Sequence, residues 1–415
     1  MKTIFEILNL SLLTLSQILI NPIYWVVIAI VYVQYKRIGQ MEKKILGTNK
    51  ESNLKRVLSS TLAGVIGGLI GSIIILAIGI TIDADDFKYM LILAILLMLI
   101  HPRFICFSYS GGIVSIASLV FEYPKINVSS VMAIVAVLHL VESLLILKDG
   151  DKSKVPIFMK MNNKIVGGFN MMRFWPIPFI VLIITAQSFE GSAVAMPDWW
   201  PLIRPDNITS NSNDLMCIMI PVMAALGYGD MAISDYPERK IKESSRNLIL
   251  FSVILLILAI ISSYVYVFKY IAALFSPLAH EFLIQYGRKK EKQGTPAFTP
   301  SNQGVKILDV LPDSTAEKMG FKSGDIIFRI NGQEVNSKYD INSVLSYFPP
   351  YIWIDYYDSN GKIKTKDYTD YRNKIRNLGL LVVPRDSSYV FVVKEVDSLG
   401  LRLIKWIKNK IKRRS

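Results

Sequence analysis

Three histidines, two cysteines and a Gly-Tyr-Gly-Asp run are the residues of this chain whose types and spacing could do chemistry. The histidines open the segments HPRFI at His101, HLVES at His139 and HEFLI at His280. A zinc peptidase helix needs two imidazoles one turn apart with a glutamate beside them, so that both face one ion. None of the three segments has a second histidine four residues on. Cys106 and Cys217 lie inside apolar segments without metal or redox spacing and read as ordinary lipid-facing or packing residues. No cofactor, no metal site and no catalytic residue is therefore expected. Ser110 in FSYSGG (107–112) and His139 are the one nucleophile and base that facing spans could pair. Serines and glycines in apolar helices also let neighbours approach closely, and that packing reading is preferred. Gly227-Tyr228-Gly229-Asp230 matches the end of a potassium filter, where carbonyls replace an ion's water. Ala225-Leu226 stand where such a filter has Thr and Val or Ile, and Pro221 interrupts what precedes it, so a Gly-rich turn at a span end is expected.

The elements that carry these residues are set by hydropathy. The chain has 415 residues, 52% hydrophobic and 19% charged, too apolar for a soluble protein unless much of that surface faces lipid. Apolar runs long enough to cross a hydrocarbon core of ~30 Å recur at 10–34, 57–82, 88–103, 104–121, 128–147, 176–195, 215–233 and 247–268, with a weaker run at 269–286. The first is read as a retained anchor, because Lys2 is its lone basic flank and no small-residue cleavage site follows. These runs predict a polytopic α-helical membrane domain over 1–287, with about seven to nine spans.

A formal charge of +14 excludes nothing by itself, but its placement argues against nucleic acid. Lys36 to Arg56 and Lys148 to Arg173 crowd the loops beside the apolar runs, as the positive-inside rule requires of cytoplasmic loops. Glu190 to Asp214 suits the outer face, and Arg239, Lys240, Lys242 and Arg246 return the chain inside. Val155 to Met171 alternates apolar and polar residues about Asn162-Asn163 and predicts a small cytoplasmic hairpin. Met196 to Pro201 places Trp199 and Trp200 at the opposite interface. Residues 288–303, with their charge run and two prolines, read as a linker.

A soluble domain follows at 304–385. Val305, Ile307 and Val310 supply a strand; Ser314 and Thr315 cap a short helix ended by Gly320; Gly324-Asp325 leads into Ile326-Ile327-Phe328; Asn331-Gly332 is a hairpin turn. A second helix at about Tyr339 to Phe348, bearing Val344, and a hairpin about Asn360-Gly361 complete it. This stretch resembles the PDZ domains attached to bacterial periplasmic serine proteases and site-2 proteases. The resemblance implies a small α+β fold, a partly open barrel with two helices. It also implies that an extended C-terminal peptide adds as a strand beside the second helix, its carboxylate held by a glycine-flanked loop. Gln303-Gly304-Val305 lacks the leading hydrophobic residue of that loop, whereas Leu378-Gly379-Leu380 has it. The expected site is therefore Leu378, Gly379, Leu380 and Val344 in a permuted domain; the alternative is that Leu378-Gly379-Leu380 begins an edge strand.

The order of parts, with VGGFNMMRFWPIP (166–178), MPDWWPLI (196–203), GYGD (227–230) and one C-terminal PDZ domain, resembles the MinJ-like membrane proteins of division-site placement. The resemblance implies a non-enzymatic scaffold at the septum and poles of a bacterial plasma membrane, with a DivIVA-type polar scaffold and division-inhibitor proteins as partners. A membrane protease or its regulator, and an ion channel or transporter, are the competing classes. Oligomeric state is left open, a homo-oligomer included. The tail, 386–415, sets Leu399, Leu403, Ile404, Trp406, Ile407 and Ile411 on one helical side and Arg402, Lys405, Lys408 and Lys412 on the other. That pattern predicts an interfacial helix on anionic lipid, with Trp406 as its anchor.

Overall fold

The computed structural model describes residues 2–18, 20–161, 164–185, 196–197, 199–203 and 216–385. The tail residues Arg402, Lys405, Trp406, Lys408 and Lys412 and most of Glu190 to Asp214 lie outside the described residues.

The N-terminal part is a helical membrane domain. Helices α1 (Lys2–Ile18) and α2 (Pro22–Leu46) are bent by 67° about the Asn21-Pro22 break. The helix α3 (Asn53–Ile78) is followed by α4 (Ala84–Ile100), a 3-10 turn at Pro102–Ile105, α5 (Phe107–Phe121) and α6 (Val128–Asp149). Among the described residues, four helices are long and apolar enough to cross a membrane: α3, α6, α7 (Pro237–Ser262) and α8 (Val267–Gln293); α1 with α2 makes a fifth if a bent pair counts as one span. At 17 and 15 residues, α4 and α5 fall short of the ~20 needed to span. The central helix is α6, apolar around its whole circumference and buried for most of its length, as a helix enclosed by others must be.

The described parts of two apolar runs read as spans, 176–195 and 215–233, are mainly strand instead. β1 (Val155–Met161) pairs antiparallel with β2 (Lys164–Thr185), and β2 pairs antiparallel with β3 (Met216–Ala232) from Phe169 to Thr185. Hydropathy alone does not separate a helix from a strand in a short apolar run. Pro176, Pro178 and Pro221 do separate them, because a helix interior loses a bond at each proline and an edge strand does not. The free edge of β2 is closed by α3: the Ile180 amide donates to Ser72 Oγ at 2.9 Å, and Gly64 and Gly68 have no Cβ to collide with the carbonyls of Pro176 and Pro178. Backbone polar groups at this depth are thus satisfied by protein. The hairpin expected over 155–171 is present, with Met161 opposite Lys164; Asn162 and Asn163 themselves lie outside the described residues.

One end of the bundle is tied by buried charge. Asp149 accepts from Arg173 Nε at 2.9 Å and from Trp175 Nε1 at 2.9 Å, and pairs with Lys152 at 2.8 Å. Arg56 meets Glu42 at 2.5 Å, and Glu291 takes the amides of Ile233 and Ser234 at 2.8 Å each. Buried charges tolerate this environment only when paired and hydrogen-bonded. The opposite end of α3 meets Trp200, whose Nε1 donates to the Leu76 carbonyl at 2.8 Å. A 26-residue helix puts these two ends about 39 Å apart.

The C-terminal part is a six-stranded antiparallel sheet with two helices. Its strands are β4 (Val305–Val310), β5 (Ile326–Ile330), β6 (Gln333–Glu334), β7 (Tyr351–Tyr357), β8 (Ile363–Thr369) and β9 (Leu380–Val382), ordered β8-β7-β5-β4-β9 with β6 on β5. Its helices are α9 (Thr315–Lys318), capped by Ser314 as expected, and α10 (Lys338–Leu345). The domain docks on the charged end of the bundle. Gly167 donates to the Phe298 carbonyl at 2.8 Å, Ala297 donates to that of Ile233 at 2.9 Å, and Lys50 pairs with Asp309. Phe158, Ile165, Phe169, Phe298, Leu308 and Val383 form one apolar cluster across the contact. The segment 288–303 is accordingly helix as far as Gln293, and its later residues lie against the β1–β2 hairpin.

Candidate peptide-binding site

The loop before β9 and the helix α10 frame the site expected from the sequence. Helix α10 is begun by a capping box, in which Ser337 Oγ accepts from the Asp340 amide at 3.2 Å and Asp340 accepts from the Ser337 amide at 2.9 Å. The Asn336 amide also donates to Asp340, at 2.8 Å, and these bonds hold its carboxyl below the ordinary range. Ile341, Val344 and Leu345 point from α10 into the domain core, where Leu378 and Val382 join them. Three of the four expected residues thus belong to one apolar unit: Leu378 and Val344 are buried in it, and Leu380 packs half-buried against it.

Gly379 is a turn residue with φ 72°. Its amide donates to Asn377 Oδ1 at 2.7 Å, its carbonyl accepts from Leu311 at 2.9 Å, and a Cβ here would overlap the Cβ of Ser314. Glycine is required both by the left-handed backbone and by the close approach. From this turn, β9 runs antiparallel to β4, with Val382 opposite Ile307 and Leu380 opposite Val310. The Gly379 carbonyl and the Val383 amide both bond toward β4. Strand alternation then turns the backbone groups of Leu380 and Val382 to the other edge. Among the described residues β9 is the last strand of its sheet, so that edge meets no further strand. Gly304, the competing loop glycine, is committed elsewhere: its amide donates to Asn336 Oδ1 at 3.0 Å and its carbonyl accepts from Arg385 at 3.1 Å.

Arg376 was not singled out by the sequence. It is exposed, stands two residues before Leu378, and lies 5.4 Å from the centre of the Phe348 ring just beyond α10. A guanidinium at the mouth of a glycine turn is suited to a carboxylate. The signal available in sequence was its position two residues before the hydrophobic-Gly-hydrophobic triplet.

The Ser110–His139 pair and the Gly227–Asp230 filter are not assembled. Ser110 Oγ is buried without a hydrogen-bond partner, and His139 Nε2 lies 3.0 Å from Cys106 Sγ instead. Gly111 and Gly112 face Val135 and Pro277 at distances that leave no room for a side chain, which is the packing role expected of them. Gly227 to Asp230 is neither a filter nor a turn. It is strand, paired residue for residue with Phe174 to Met171.

A PDZ domain family (PDZ_2) matches residues 295–349. Over 214 residues, 52% of this chain and 51% of the relative, the chain is 23% identical to the cell division topological determinant MinJ of Bacillus subtilis. It is 36% identical over 63 residues to serine protease HTRA1 of Xenopus tropicalis, covering 15% of this chain and 14% of that protein. To a probable periplasmic serine endoprotease DegP-like of Marinomonas it is 35% identical over 89 residues, 21% of this chain and 17% of the relative. The chain spans about half the length of MinJ and less of the proteases. The chain therefore carries a PDZ domain behind a helical membrane domain and is similar, over half its length, to the division protein MinJ.

Proposed function

We propose that this protein is a non-enzymatic, multi-pass scaffold of the bacterial plasma membrane whose PDZ domain recruits division-site proteins on the cytoplasmic side. The observation that carries this reading is the edge of β9 that no strand among the described residues pairs, beside the Gly379 turn and Arg376, in a chain similar to MinJ. A partner's C-terminal segment would pair with Leu380 and Val382, with its carboxylate near Arg376; Leu378, Gly379 and Val344 shape the turn and the wall behind it. The partners fitting this reading are a DivIVA-type polar scaffold and division-inhibitor proteins.

The cytoplasmic placement is supported by where the basic loops converge. Lys50, the β1–β2 hairpin and the stretch at Tyr236 all meet the PDZ domain, whereas Trp200 marks the far end of α3. These are the segments that the positive-inside rule assigns to one side. The tail would add a grip on anionic lipid at the same face.

The likeness to HTRA1 favours a second reading, an adaptor or regulator for a membrane-bound protease. A fluorescent fusion in dividing cells separates the two. Enrichment at septum and poles is expected of the scaffold, and an even distribution around the membrane would count against it.

A further inference from the structure

Cys106, His139 and His280 are 33 and 141 residues apart in sequence, yet three separate elements bring them together. Cys106 caps the N-terminus of α5, His139 stands midway along α6 and His280 midway along α8. Cys106 Sγ lies 3.0 Å from His139 Nε2 and 3.7 Å from His280 Nε2, and the three donor atoms fall within 4.8 Å of one another. Sulfur and imidazole nitrogens placed tetrahedrally about one ion, at ordinary Zn–S and Zn–N lengths, sit about 3.5 Å apart. The two sulfur–nitrogen distances bracket that value, and the two imidazole nitrogens, no more than 4.8 Å apart, would close on each other to share one ion.

The hydrogen bonding around the trio turns one nitrogen of each imidazole toward the sulfur. His139 Nδ1 is 2.7 Å from the Val135 carbonyl and must donate to it, which leaves Nε2 as a bare lone pair facing the sulfur. The single thiol proton can serve that lone pair. His280 turns its Nε2 to the same sulfur, while its Nδ1 is closed off without a partner, and the ring is held by Tyr109, His139 and Phe251 at centroid distances of 5.2, 5.1 and 5.7 Å. A cation bound to the thiolate and to both Nε2 atoms would use three lone pairs at once.

We propose that Cys106, His139 and His280 bind one thiophilic d10 cation, Zn2+ or Cu+, in the middle of the helical bundle. A soft thiolate with two imidazoles selects these ions over Mg2+, Ca2+ or Mn2+. Binding breaks the Cys106 S–H bond, forms a metal–sulfur bond and releases one proton to solvent. Three protein ligands leave a fourth position open. The polar residues nearby fit a built site in an otherwise apolar bundle. Glu281 next to His280 takes the Tyr109 hydroxyl at 2.6 Å and Arg103 at 3.3 Å, and Glu142 follows His139 by three residues on the same flank of α6. This site is independent of the scaffold reading.

The test uses the full-length protein in detergent, stripped by a chelator and titrated separately with Zn2+ and with Cu+ buffered by a competing ligand. One of the two is expected to bind at one ion per chain with release of one proton, and at least tenfold more weakly to Cys106→Ser and to His280→Gln. Co2+ in the same site should give sulfur-to-metal charge-transfer absorption that Cys106→Ser abolishes. Should either variant fail to elute as the wild type does, thiol labelling in a Cys217→Ser background replaces it: the ion must shield Cys106 from alkylation. Uptake of neither ion, equal uptake by the variants, or unshielded Cys106 would overturn the proposal.

Discussion

Gly68 of α3 lies directly beneath the carbonyl of Pro178 in β2, so close that a Cβ on Gly68 would overlap that oxygen. Gly64 stands in the same relation to Pro176 one turn earlier, and Ser72 one turn later accepts the Ile180 amide. This three-step seam seals the edge of a strand ribbon against a spanning helix. Gly68→Val should therefore force α3 and β2 apart, at a cost of about 1–3 kcal/mol or more. The same change at Gly47, which has open space around it, would strain only a left-handed cap. A melting series followed by size exclusion in detergent checks this, with Gly68→Val losing its monodisperse peak at the lower temperature.

The Asp340 cap gives the PDZ domain a pH dependence of known sign. Its carboxyl is held below the ordinary value of 3.8 by the Asn336 and Ser337 amides, so the folded state favours the ionised form. The stabilisation is complete above that ordinary value and fades as pH falls through the lower folded value. Amides of α10 should exchange faster below about pH 3 than at pH 5 after correction for intrinsic rates, and Asp340→Asn should flatten the difference. The variant should also loosen α10 by about 1 kcal/mol at neutral pH, the ordinary worth of a helix cap.

Topology makes a separate prediction. Ser359 lies at the exposed tip of the β7–β8 hairpin, away from the docked face. A single cysteine placed there in a Cys106→Ser, Cys217→Ser background should resist a membrane-impermeant thiol reagent in intact cells and react after permeabilisation. Labelling in intact cells would put the PDZ domain on the outer side.

Much of the C-terminal domain was legible because its instructions are local. Asn331-Gly332 has the positive φ values that its turn demands, 49° and 79°; Ser314 caps α9; and the alternation of β7 matches its burial. The membrane half was legible as hydropathy but not as shape. The run at 176–195 has the length and apolarity of a span, and its described part is strand; only Pro176 and Pro178 betrayed that, through a backbone rule that hydropathy ignores. The Cys106, His139 and His280 cluster left no local spacing to find, since its members are joined by the packing of α5, α6 and α8. Arg376 carries no local signal of its place beside Phe348 for a similar reason: that place depends on where α10 ends.

Changing Gly379 to glutamate would be a poor probe of the peptide edge, because the overlap with Ser314 and the φ of 72° make that variant a folding defect. Arg376 is exposed and can be reversed in charge without touching the core. The direct measurement is to select free C-terminal peptides on the full-length protein in nanodiscs, then to compare the best one with its amidated form on wild type and on Arg376→Glu. The account predicts that amidation and Arg376→Glu each weaken binding about tenfold or more, roughly 1.4 kcal/mol, and that bound peptide protects the Leu380 and Val382 amides from exchange. Equal affinity for the amidated peptide, unchanged binding by Arg376→Glu, or protection at strands other than β9 would contradict it.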